Sequence, residues 1–145
     1  MKRLKTYLSA AIVMMAMAWS VNGSAQVLRD ADYNSVGRIA GNGLVRDANQ
    51  RSIGSFDADG TVRDKAGVAR GRINRLEIFN TEGVRIGYIN TDGTVHDGES
   101  NLLGTINLSD GKVTNANQKV LGFARGIRVD WIACYYFFDF FKPTR

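Results

Sequence analysis

From residue 36 to residue 125 apolar and polar side chains take turns along the chain, and glycine interrupts the alternation at fixed intervals. Runs such as Thr61-Val62-Arg63-Asp64 and Thr94-Val95-His96-Asp97 have the two-residue period of a strand with one buried face. Gly37, Gly54, Gly71, Gly87, Gly104 and Gly122 stand 17, 17, 16, 17 and 18 residues apart, and two positions after them come Ile39, Phe56, Ile73, Ile89, Ile106 and Ala124. Seven residues before each glycine from the second onward sits Asp47, Asp64, Asn80, Asp97 or Asn115. Two residues before those sit Val45, Val62, Ile78, Val95 and Val113. With 22 Asp and Asn among 145 residues, chance would fill those five positions with a frequency on the order of one in ten thousand, so the chain carries a true internal repeat.

Within a unit, Asn42-Gly43, Asp59-Gly60, Asp92-Gly93 and Asp110-Gly111 separate two apolar/polar runs, which predicts strand, tight turn, strand. Such dipeptides suit primed hairpin turns, whose two central residues both take positive φ. The second connection, as in Asp47-Ala48-Asn49-Gln50-Arg51, has no apolar period and reads as another loop. No long helix fits a 17-residue unit of this kind.

One two-stranded hairpin is marginal in water, so neighbouring units must supply the core. Six in-strand glycines cost roughly 0.5–1 kcal/mol each relative to alanine. That cost points to backbone approaching so closely that a Cβ would clash, as around a central axis. An open β-solenoid fits the period as well, but five units without a polar capping repeat favour radial closure. The pattern [Ile/Val]-Gly-x-Ile … Asp-Gly-x-Val-x-Asp, repeated five times over residues 36 to 125, resembles the five-fold β-flower domain family of small exported bacterial proteins. The resemblance implies a compact radial, propeller-like all-β arrangement of five hairpins of about 17 residues, and no biochemical activity or functional residues. The third unit departs from the pattern: it lacks the Asp-Gly turn, is a residue shorter, and has Arg70 where the other five glycines follow an apolar residue.

Ahead of the repeat, Lys2, Arg3 and Lys5 precede an apolar run from Leu8 to Trp19, then Gly23-Ser24-Ala25 before Gln26. This is the layout of a signal peptide cleaved after Ala25, and the run is shorter than the roughly 20 residues needed to span a bilayer. The expected organisation is a signal over 1–25, a β domain over 26–125 and an aromatic-rich segment over 126–145. The expected location is periplasmic or extracellular. The only cysteine, Cys134, is far from the cleavage point, so the chain is not a lipoprotein and has no internal disulfide. Removing the signal leaves 16 basic against 14 acidic residues, a net charge of +2 rather than +5. The basic residues are spread singly among aspartates, which argues against nucleic acid as a partner.

Candidate chemistry is sparse, and neither a cofactor nor a metal site is expected. Asp57-Ala58-Asp59-Gly60 and Asn90-Thr91-Asp92-Gly93 could suggest calcium loops, but the full EF-hand pattern is absent and turn chemistry accounts for them. The single histidine, His96, is matched in other units by Arg46, Arg63, Phe79 and Thr114, which marks an exposed strand position rather than a catalytic one. Cys134 lies in an apolar stretch where a buried, inert thiol is the default.

The anomaly is Trp131 to Phe141, eleven mostly aromatic residues outside the repeat. They form a buried closing strand, an interface with another chain, or an interfacial anchor. The expected function is therefore a non-enzymatic envelope or secreted binding module. Its candidate binding residues are Trp131, Tyr135, Tyr136, Phe137 and Phe138, and its partner is an envelope protein, a peptide or a glycan. The competing readings are a hydrolase of cell-wall or dietary polysaccharide and a purely structural module that oligomerises through this segment.

Overall fold

The computed structural model describes residues 25–141; the signal segment expected over 1–25 lies, except for Ala25, outside the described residues. Twelve short strands follow one another: β1 (Ala25–Asp30), β2 (Ser35–Ala40), β3 (Leu44–Asp47), β4 (Ser52–Phe56), β5 (Thr61–Asp64), β6 (Ala69–Asn74), β7 (Glu77–Asn80), β8 (Arg85–Ile89), β9 (Thr94–Asp97), β10 (Leu102–Ile106), β11 (Lys112–Asn115) and β12 (Val120–Phe123). Each pairs antiparallel with its neighbours in sequence, and β1 pairs with β12 to close a barrel. Closure removes both sheet edges, whose unpaired backbone groups would otherwise face solvent. The expected all-β class holds, in the form of a closed twelve-stranded barrel.

The register repeats around the barrel. Each repeat glycine faces the Asx residue of its own hairpin, in the pairs Gly37↔Asp47, Gly54↔Asp64, Gly71↔Asn80, Gly87↔Asp97 and Gly104↔Asn115. A sixth pair, Gly122↔Asp30, joins the two ends of the repeat region. Leu28-Arg29-Asp30 thus occupies the place of Val45-Arg46-Asp47, and β1 with β12 completes a sixth strand pair alongside five that are continuous in the chain. The signal for it was present in the sequence, because Asp30 stands seven residues before Gly37 and Leu28 two before Asp30.

The turns differ from the primed two-residue expectation. Gly43, Gly60, Gly93 and Gly111 take positive φ, but the Asn or Asp before each does not. Gly60 N–H instead donates to the Asp57 carbonyl and Asp57 N–H to the Thr61 carbonyl, which is a three-residue connection ending on a left-handed residue. A Cβ on Gly43, Gly60 or Gly93 would fall closer than 3.0 Å to a carbonyl oxygen of the next hairpin. In the irregular third unit Arg75 takes the positive φ, and the Leu76 carbonyl accepts the Ile89 N–H that a glycine carbonyl accepts elsewhere.

At the other end of the barrel, the Asx residue caps each turn. Asp47 Oδ1 accepts the N–H groups of Asn49 and Arg51 (2.9 and 3.0 Å), and Asp30, Asp64, Asn80, Asp97 and Asn115 repeat the same two contacts. These donors, first among them the N–H four residues on, hold the carboxyls of Asp47, Asp64 and Asp97 below the usual range.

Inside, a ring of aliphatic and aromatic side chains is buried, including Leu28, Ile39, Val45, Phe56, Val62, Ile73, Ile78, Ile89, Val95, Ile106 and Val113. Eight strands make a barrel that side chains can fill, whereas twelve leave a lumen that needs further filling. That filling comes from the C-terminal segment.

Candidate functional site

The residues from Val129 to Phe137 form a helix, α1, and the chain then extends through Phe138 to Phe141. The segment packs into its own fold, but not as the closing strand considered from sequence. A closed barrel offers no free edge, so buried backbone inside it must satisfy its own N–H and C=O groups, and a helix does that within one segment. Ile132, Ala133 and Cys134 are buried against the barrel wall.

Past them, five rings meet five of the repeat glycines. A Cβ on Gly122, Gly104, Gly87, Gly71 or Gly54 would lie under 3.0 Å from Tyr136, Phe137, Phe138, Phe140 or Phe141 respectively. The same Cβ would also fall under 3.0 Å from a carbonyl oxygen of the facing strand, that of Arg29, Thr114, His96, Phe79 or Arg63. The close approach expected at these glycines is therefore present, and the tail rings are half of what demands it. Gly37 has no ring above it; its nearest side chain is Leu28, at 3.4 Å.

Of the five candidate binding residues, Phe138 is 8 % exposed, while Trp131, Tyr135, Tyr136 and Phe137 are half-buried. The Tyr136 hydroxyl donates to the Arg29 carbonyl at 2.7 Å, and burial pushes its pKa well up. Tyr135 packs edge-on against Tyr136. Trp131 stacks on Phe56 with ring centroids 5.1 Å apart, and the Arg128 guanidinium lies 4.7 Å over its ring. Burial, then the nearby Asp130 charge, raise the pKa of the Cys134 thiol, which fits the inert role expected of it.

Where α1 begins, Asp57, Asp59, Arg75, Arg128, Asp130 and Trp131 line a polar pocket of about 240 Å³. Its carboxylates are already engaged. Asp57 accepts from the Arg63 Nε at 2.7 Å, buried Asp130 accepts from Nε and Nη2 along one edge of the Arg128 guanidinium, and Asp59 accepts the Thr61 N–H at 3.0 Å. That last bond lowers the Asp59 pKa, the wrong direction for a general acid in glycoside cleavage. Among the described residues no group of three or more His, Cys, Asp and Glu is placed to hold a metal ion.

His96 is half-buried on the outer face, stacked on Tyr88 at 5.0 Å, and its buried Nδ1 has no hydrogen-bond partner among the described residues. The exposed position expected for it is a ring-stacked one. No helix among the described residues is long and apolar enough to cross a membrane.

A family model described as 5-fold beta-flower protein matches residues 25–141, from the first strand to the last ring of the tail. No curated protein and no solved structure matches the chain.

Proposed function

The chain belongs to the 5-fold beta-flower family, and from that membership we propose that it is an exported, non-catalytic β-repeat module that binds an envelope component through its outer surface. The observation that carries this reading is the filled lumen. With Tyr136, Phe137, Phe138, Phe140 and Phe141 set against the glycines, the interior is core, and the surfaces left for recognition are the outer faces of the strands, the turns and the pocket beside Trp131. Binding by Phe138 or Phe140 would require withdrawing them from the barrel, whereas Trp131, Tyr135, Tyr136 and Phe137 keep part-exposed faces. The signal-like N-terminus supports export, and strands of four to six residues are about half the length of a bilayer-spanning β-strand.

The test uses the chain from Gln26 onward, sedimented with bacterial envelope fragments. The expected result is co-sedimentation without release of soluble reducing sugar, and absence of co-sedimentation would overturn the binding reading. The hydrolase reading has its footing in the acidic pocket at Asp57, Asp59 and Asp130. It wins if sugar is released and the D57N/D59N variant stops that release. Light scattering is expected to give the mass of a monomer, and N-terminal sequencing of the exported protein is expected to begin at Gln26.

A further inference from the structure

Between its inward residues each strand presents one side chain outward at the barrel's waist. Going round, these are Arg29, Arg38, Arg46, Ser55, Arg63 and Arg72 on β1 to β6, then Phe79, Tyr88, His96, Thr105, Thr114 and Phe123 on β7 to β12. Five of the first six are arginine and none of the second six is. The continuous stretch from Arg29 to Arg72 is thus curved by the closed sheet into half of its circumference, an arc of roughly 24 Å at ordinary strand spacing.

Two features mark the arc as more than solvated surface. Arg38 and Arg46 face one another directly across β2 and β3, an arrangement of like charges that disfavours the pairing. Apart from Arg63, which is bound to Asp57, no belt arginine has a carboxylate within 4.0 Å among the described residues. In addition, Arg29, Arg46 and Arg63 are held in one pose. Each donates a single Nη1 hydrogen bond to the carbonyl four residues on, that of Tyr33, Gln50 or Gly67, at 3.1, 2.9 and 3.0 Å. A guanidinium has five N–H donors, so most stay available to an anion, and fixing the side chain beforehand lowers the entropy cost of binding.

We propose that this arginine arc binds a flexible acidic polysaccharide that wraps the barrel. The proposal deepens the envelope-binding reading by naming the surface and the ligand class. Guanidinium groups suit carboxylate or phosphate groups carried along a sugar chain. The curvature decides against stiffer polyanions, because a flat anionic bilayer or a nucleic-acid duplex meets a convex barrel along one line and reaches two or three strands. Single-stranded nucleic acid sites set aromatic side chains among their cations for base stacking, whereas here the rings stand at the ends, Tyr33 and Phe123 beside Arg29 and Phe79 opposite Arg72.

The probe is polygalacturonate, with one carboxylate per sugar, titrated against the chain from Gln26 onward, with neutral dextran, single-stranded oligo(dT) and phosphatidylglycerol vesicles as alternatives. Binding to polygalacturonate is expected to weaken with salt. R38Q/R46Q should bind at least about tenfold more weakly, the loss expected for two charge-assisted contacts. K112Q/K119Q, on the other half, whose one strand arginine, Arg85, is already paired with Glu77, should change affinity by less than about twofold. R38Q/R46Q should melt no lower than wild type, since it removes a facing pair of like charges. The proposal is overturned if the wild-type chain ignores polygalacturonate, if R38Q/R46Q binds it unchanged, if K112Q/K119Q loses as much, or if oligo(dT), vesicles or dextran bind as tightly. Co-sedimentation with envelope alongside any of these results would sink the arc and leave the broader function standing.

Discussion

Replacing Gly87 by alanine places a methyl group closer than 3.0 Å to the Phe138 ring and 2.8 Å from the His96 carbonyl oxygen. Gly37→Ala is the matched control. There the methyl group meets the Arg46 carbonyl at 2.5 Å but only Leu28 among side chains, at 3.4 Å. Both substitutions restrict the unfolded chain equally, a gain of about 0.4–1 kcal/mol, and both press on a facing carbonyl. The carbonyl contact is tighter at Gly37 (2.5 Å) than at Gly87 (2.8 Å), so the ring's share is read from the Phe138→Ala background as well as from the difference. Overpacking a filled core costs about 1–3 kcal/mol, and Phe138 cannot step aside freely because it is buried and stacked on Phe140, which sits against Gly71. Gly87→Ala should accordingly be less stable than Gly37→Ala by about 1–2 kcal/mol in urea unfolding followed by far-UV circular dichroism, with an unchanged denaturant slope. In a Phe138→Ala background the extra cost of Gly87→Ala should vanish, a coupling of similar size. Additive effects of Gly87→Ala and Phe138→Ala would show that the tail does not rest on the repeat glycines.

The remaining expectations concern turns, closure and the buried tail. Asp47, Asp64 and Asp97 have folded-state pKa values below their ordinary 3.8, so their contribution is present above that value and lost as pH falls through the depressed ones; melting points should drop below about pH 4. D47N/D64N/D97N, which copies the amides already at Asn80 and Asn115, should flatten that acid decline with little change at pH 7, and a decline as steep as wild type would count against it. Leu28→Ala should cost about 2–5 kcal/mol, because Leu28 is fully buried in the closing strand pair; a loss under about 1 kcal/mol would argue that β1 does not complete the core. Native protein at pH 8 should leave Cys134 unreactive toward a thiol-specific disulfide reagent until denaturant is added, whereas prompt labelling would place the thiol outside the barrel.

Local chemistry fixed the repeat and the strand pairs, because side-chain alternation, turn glycines and Asx caps act over a few residues. It also located the glycines that tolerate no methyl group and singled out the tail as foreign to the repeat. Three outcomes lay beyond it. Asp30 and Leu28 carried the repeat signature, yet their strand's pairing with β12 bridges some ninety residues, a contact that closure alone creates. The aromatic, β-branched run at Val129–Phe137 has modest helix propensity, and it became helical because the barrel it fills has no edge left to pair with. The five belt arginines all lie between residues 29 and 72, and only the closed sheet turns that stretch of chain into one curved half of the waist. Sequence by itself therefore determined what each unit would be. The closed sheet decided which units meet, what fills the centre and where charge accumulates, since those properties belong to distances through space rather than along the backbone.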